Sequence, residues 1–197
     1  MQEKKLDYLL LGPAKPFRGG IAETQNYLAE ELSSKQFKVE VWTFTKLYPK
    51  ILFPGRSQFD ETKNQENEFG SKRFIHAYNF FNWKFVAKRI NAVKPRVVVF
   101  RYWTPLISLC WCYIKSKLDR SIKTVGLIDN WEHHEPKIWD KKLNMLFGNS
   151  MDMIVTFSQS VAGQIKKTIE KKILIGFHPI PSKNKFKFFE SKNYSKS

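Results

Sequence analysis

Seven consecutive residues, Asp129-Asn130-Trp131-Glu132-His133-His134-Glu135, hold three carboxylates and two imidazoles, the densest polar constellation in the chain. Such groups titrate or hydrogen-bond near neutral pH, so they can orient hydroxyls, hold a phosphate or move a proton. Metal binding fits less well. His-His-Glu-Pro is not His-Glu-x-x-His, and neighbouring side chains on one strand or helix do not converge on an ion. A solvated loop with Trp131 packed down is the plainer alternative. Gly19-Gly20, after Phe17-Arg18, stands where a helix begins. Glycine there lets the backbone approach a ligand, and the free N–H groups and positive dipole end suit a phosphate. The same pair also makes an ordinary tight turn, and it is neither G-x-G-x-x-G nor a Walker loop. Arg18 and Arg101 are candidate anion clamps, because a guanidinium meets a phosphate bidentately. Ser158 is a hydroxyl donor at a strand end, with no nucleophile elbow around it.

These residues need elements to hold them. Leu6 to Leu11 is a short apolar run, right for a buried strand and too short for a membrane span. Gly12, Pro13 and Pro16 stop it. Ile21, Gln25, Leu28 and Leu32 then recur at helical spacing, so one face can pack on a sheet. Phe37 to Phe44 alternates as a strand. Residues 46–70 form a long polar excursion, and Arg73 to Ala77 a third strand. Asn82 is the expected cap of a helix lined by Trp83, Val86, Ala87, Ile90 and Val93 and ended by Pro95. Val97 to Phe100 is a strand buried on both faces. A helix over 106–118, a strand over 122–128 and a helix over 137–147 follow. A strand over 153–157, a helix capped by Ser160 and a final strand over 173–175 complete the pattern.

Alternating strands and helices predict an α/β fold: a Rossmann-like, doubly wound, mostly parallel sheet with helices on both faces. Right-handed crossovers then bring every strand-to-helix loop to one edge, where ligands bind. Arg18-Gly19-Gly20, Arg101-Tyr102-Trp103, Asp129 to Glu135 and Ser158 all fall on that edge. Residues 1–181 are expected to form the domain and 182–197 a basic, frayed tail.

Composition narrows the classes. With 42% hydrophobic and 15% aromatic residues the chain is too apolar for general disorder. Its 34 Lys and Arg against 18 Asp and Glu leave +16, which calls for an anionic partner: nucleic acid, an anionic membrane surface or a phosphate-bearing substrate. No nucleic-acid motif is present, and the spacing of Trp83, Trp103 and Trp111 suits a core better than base stacking. Cys110 and Cys112 read as reduced core thiols of a cytosolic protein. Residues 1–5 lack the apolar run of a signal peptide, so a cytoplasmic chain, free or peripheral at the inner membrane face, is expected.

Taken together, Gly12-Pro13 through Arg18-Gly19-Gly20-Ile21-Ala22, Arg101-Tyr102-Trp103-Thr104-Pro105, Asp129 to Glu135, Ser158 and His178-Pro179-Ile180 resemble the N-terminal half of a family 4 glycosyltransferase with the two-domain GT-B architecture. The resemblance implies transfer of a sugar, with retention, from a nucleotide-sugar to a glycan or lipid-linked acceptor, without a metal or other cofactor. It implies that Gly19 and Gly20, with Arg18, approach the donor phosphates. His134, Glu135 and Asp129 would stand at the catalytic centre, with Arg101, Trp103, His133 and Ser158 contacting substrate. Two positions depart from the family pattern: Asp129 stands where histidine is common, and Pro95-Arg96 where Pro-Asp is common. The family's nucleotide-binding half, with its E-x7-E motif, would follow Pro181. A truncated copy, a subunit completed by a separate C-terminal-domain chain, or a domain kept for binding is therefore expected, with little or no transfer alone. Rival readings are a non-catalytic basic module for membrane or nucleic acid and a stand-alone nucleotide or flavin binder.

Overall fold

The computed structural model describes residues 5–47, 70–132 and 137–177. Seven parallel strands form one sheet in the order β3-β2-β1-β4-β5-β6-β7. They are β1 (Tyr8–Leu11), β2 (Val39–Lys46), β3 (Lys72–His76), β4 (Val97–Tyr102), β5 (Lys123–Ile128), β6 (Met153–Thr156) and β7 (Ile173–Ile175). The two apolar runs, Tyr8–Leu11 in β1 and Val97 to Phe100 in β4, lie side by side in the interior, where both faces of a strand are covered. Leu10 stands level with Val41 and Val99 on one face; Leu11 stands level with Trp42 and Phe100 on the other.

The first face takes α1 (Gly20–Ser34), whose Ala29, Leu28 and Leu32 pack on Leu10, Val41 and Val99. The second takes α2 (Phe80–Val93), α3 (Ser108–Ser116), α4 (Asp140–Ser150) and α5 (Gln159–Lys166). Val86, Ile90, Trp111, Phe147 and Ile165 bury there against Leu9, Trp42, Phe44 and Phe100. From the β1–β4 pair the chain winds outward in opposite directions, and that reversal opens a crevice at the strands' carboxyl ends. The fold is the expected Rossmann-like, doubly wound α/β sheet, with every described strand parallel.

Several boundaries differ from expectation. Asn79, not Asn82, caps α2: its Oδ1 accepts from the N–H groups of Phe81 and Asn82 at 3.0 and 3.2 Å. Asn82 instead ties the helix to the end of β3, accepting from His76 N–H at 2.7 Å and donating to Phe74 O at 2.9 Å. Val93, expected on the apolar face, is exposed, and Lys94 closes α2 in a left-handed conformation before Pro95. Ser158 rather than Ser160 caps α5, its Oγ accepting from Val161 N–H. The helix expected over 106–118 is a 3-10 turn at Pro105–Ile107 followed by α3. The tail over 182–197, and 48–69 of the long excursion, lie outside the described residues.

Candidate functional site

A cleft of about 390 Å³ opens at the carboxyl rim of the sheet. Gly20, Ile21 and Thr24 of α1, Arg101 of β4, Ile128 at the end of β5 with Asp129 and Asn130 after it, and Thr156 at the end of β6 with Phe157 and Ser158 after it line it. Each of the four segments expected to converge contributes a residue here, Gly20, Arg101, Asp129 and Ser158, although together they span more than a hundred positions of sequence.

Gly20 lines the cleft at the start of α1, and Gly19 stands just before it, outside the lining. Gly19 takes φ 111°, a left-handed geometry that a side chain resists, and precedes the first helical residue without any side-chain cap. A Cβ built on either glycine meets nothing within 4 Å, so the space above the helix start is open. The first turn of a helix has N–H groups with no intrahelical partner, which a ligand can satisfy. Thr24, one turn further along, donates from Oγ1 to Gly20 O at 2.8 Å and holds the loop end in place. Arg18 is exposed beside the glycines and is not among the cleft-lining residues.

Arg101 is engaged from within. Its side chain is 1% exposed and its fork meets Asp129 bidentately, Nε to Oδ2 and Nη2 to Oδ1, both at 2.6 Å. Nη2 also donates to Thr24 Oγ1 at 2.8 Å, and Nη1 reaches Gln25 Oε1 at 3.5 Å. The guanidinium expected to clamp an incoming anion is thus matched by an internal carboxylate, and together they fasten β4, β5 and α1 behind the cleft. Gly12 makes this possible: a Cβ there would stand 2.6 Å from Arg101 Cβ.

The segment that carries the histidines is tethered where it leaves β5. Asp129 N–H donates to Tyr102 O at 2.8 Å, and Trp131 is buried with its indole N–H on Thr168 Oγ1 at 2.9 Å. Asn144 of α4 donates to Trp131 O and accepts from Tyr102 Oη at 2.6 Å. The Tyr102 ring stacks on Phe147 at 4.0 Å, and burial pushes its phenol far above the usual range, so it stays protonated. Gly148 lets Trp131 close in, since a Cβ there would lie 3.0 Å from its ring. His133, His134 and Glu135 lie outside the described residues.

The remaining site residues divide. Ser158 lines the cleft while its Oγ caps α5. Trp103 is 7% exposed and meets Phe44 edge-on at 6.0 Å; it belongs to the core and not to the cleft lining. Thr24, Thr156 and Phe157 were not singled out in the sequence. Thr24 had a usable signal: it lies four positions after Gly20 and so faces the same side of α1. Among the described residues, no group of three or more His, Cys, Asp and Glu gathers as metal ligands would.

No family model matches the chain, and no curated protein sequence does. Solved structures do. An α-glucosyltransferase in complex with UDP superposes with a TM-score of 0.58 at 11% identity, over 88% of this chain and 44% of that one. A UDP-N-acetylglucosamine 2-epimerase from Rickettsia bellii does so with 0.53 at 12%, over 90% and 46%. A fragment of sucrose-phosphate synthase from Thermosynechococcus elongatus matches with 0.50 at 9%, over 90% and 91%. At these identities the likeness shows the fold: one Rossmann-like half of the GT-B architecture. The chain spans under half the length of the glucosyltransferase and the epimerase.

Proposed function

We propose that this chain is the acceptor-side half of a retaining, metal-independent glycosyltransferase that moves a sugar from a nucleotide-sugar to a glycan or lipid-linked acceptor at the cytoplasmic face of a membrane. The observation that carries the reading is the cleft at the carboxyl rim, where the open N-terminus of α1, Asp129 with Asn130, and Ser158 meet. The UDP named with the glucosyltransferase and with the epimerase supports a nucleotide-diphosphate partner for the same fold. In this reading Gly19 and Gly20 take the donor phosphates on backbone N–H groups, with Arg18 alongside. His134 and Glu135 serve the reacting sugar, His133 and Ser158 contact substrate, and the Arg101–Asp129 pair fixes the wall behind them. One sheet domain supplies one wall. A second, on this chain's continuation or a separate subunit, supplies the other, and the isolated wall turns over little.

The test is titration of the purified chain with UDP and a UDP-sugar, followed by amide chemical shifts. Weak binding centred on Gly19 to Thr24 is expected, and Gly20→Val, whose Cβ has no protein atom within 4 Å, should remove it. Robust sugar transfer by the chain alone would refute the half-site. Shifts confined to the α2–α4 surface would refute the cleft.

A further inference from the structure

The second helical layer has an outer surface that the cleft does not use. Six apolar side chains stand exposed on it: Phe80 and Phe81 on α2, Leu106 and Leu109 at the start of α3, and Ile138 and Trp139 just before α4. Phe81 is 83% and Ile138 93% exposed, values at which a soluble surface leaves large apolar groups only singly. All six sit at the amino-terminal ends of helices that follow β3, β4 and β5. They therefore line one rim, the same carboxyl rim that holds the cleft. Phe80 bridges two of the helices, its ring 4.5 Å from Tyr113 of α3, and α3 in turn packs against α4.

Charge on these helices is predominantly positive. The helices carry Lys84, Lys88 and Arg89 on α2, Lys115 on α3, and Lys141 and Lys142 on α4, and their sequences include one acidic residue, Asp140. Asp140 is buried and accepts from Lys137 N–H at 3.0 Å. Lys84 and Lys88 follow Phe80 and Phe81 by about one and two turns, and the Lys137 ammonium lies 5.8 Å over the Trp139 ring. Aromatic and aliphatic tips at a rim with a lysine band behind them match the two layers of an anionic bilayer surface: an acyl boundary and a phosphate plane. No helix among the described residues is long and apolar enough to cross a membrane, so the match is to a surface.

We infer that the outer face of α2, α3 and α4 docks on an anionic lipid surface, with Phe81, Ile138 and Trp139 entering the headgroup layer and the lysine band on the lipid phosphates. Docked so, the chain presents the cleft along the lipid plane. The inference stands without the nucleotide-sugar reading, and its test contains no sugar.

The experiment is flotation of the full chain with vesicles of phosphatidylcholine alone or with roughly one part in four of phosphatidylglycerol, together with Trp quenching by brominated acyl chains. Binding to the anionic vesicles is expected to exceed binding to the neutral ones by at least about tenfold and to weaken with salt. Phe81→Ser/Ile138→Ser keeps every charge and every Trp, and should weaken flotation by about tenfold or more. Lys84→Gln/Lys88→Gln should weaken it roughly fivefold per lysine. Quenching should disappear in Trp139→Phe. These substitutions fall on exposed positions, and unchanged thermal unfolding separates lost docking from lost fold. Three results would overturn the inference. One is equal flotation of the Phe81→Ser/Ile138→Ser chain and the parent. Another is quenching that survives Trp139→Phe. The last is preference for an oligonucleotide of matched charge over the anionic vesicles.

Discussion

Removing the Asp129 carboxylate tests whether it belongs to the wall of the cleft or to the chemistry inside it. Asp129→Ala leaves the Arg101 guanidinium, 1% exposed, without its bidentate acceptor and with only Thr24 and Gln25 as partners. Stranding one member of a buried pair costs about 3–5 kcal/mol. A domain of this size has about 5–15 kcal/mol of stability in all, and each kcal/mol moves its melting point by about 2–4 °C. The expected fall is therefore roughly 6–20 °C, read by thermal and urea unfolding. Arg101→Met should cost less. Asp129 retains some exposure at the cleft, 11% against 1%, so water can solvate the orphaned carboxylate. Combining Arg101→Met with Asp129→Leu should recover much of the loss, with a coupling energy toward the upper end of the usual 0.5–3 kcal/mol range. An Asp129→Ala chain that melts within 2 °C of the parent would refute the reasoning, because the carboxylate would then not be holding Arg101.

Three further outcomes follow from the same geometry. Gly12→Ala should cost about 1–3 kcal/mol, because its Cβ meets Arg101 Cβ at 2.6 Å, whereas Gly20→Ala should stay within about 0.5 kcal/mol; equal urea midpoints would contradict this. Asn82→Ala should destabilise more than Asn79→Ala, which should cost about 1 kcal/mol. Asn82 joins two backbone groups of the β3 end to α2 while Asn79 serves only its own helix, so the reverse order in unfolding would count against the assignment. Burial pushes both the Cys110 and the Cys112 thiols above their ordinary 9.0. A folded pKa raised above the unfolded one gives stability that is complete below about pH 9 and is lost as pH climbs through the raised values. The urea midpoint should hold steady up to that pH and then fall, and a Cys110→Ala/Cys112→Ala chain should fall less; parallel curves for the two chains would refute the assignment.

The strands were legible because continuous apolar runs such as Leu9-Leu10-Leu11 and Val97 to Phe100 admit few other uses in a chain of this length. Helix starts were not, and the reason is chemical redundancy. Asn79 and Asn82 can both cap, as can Ser158 and Ser160; the choice falls to where the preceding strand ends and to what else needs an amide there. The rim location of Gly20, Asp129 and Ser158 followed from topology alone. What Arg101 does there did not, because its partner is 28 residues away and only the β4–β5 pairing, with Arg101 level with Leu127, brings the two together. Trp103 is the same case: Phe44 on β2, invisible from the local pattern, turns a possible ligand surface into packing.

The strand order has a bearing on how the chain is made. β2 docks on β1, β3 on β2, β4 back on β1, and β5, β6 and β7 each on the strand before. Each new strand finds its hydrogen-bonding neighbour already outside the ribosome, and none must wait for one still unsynthesised. Vectorial emergence can therefore extend a single growing platform from β1, first outward to β3 and then, from the other side of β1, out to β7.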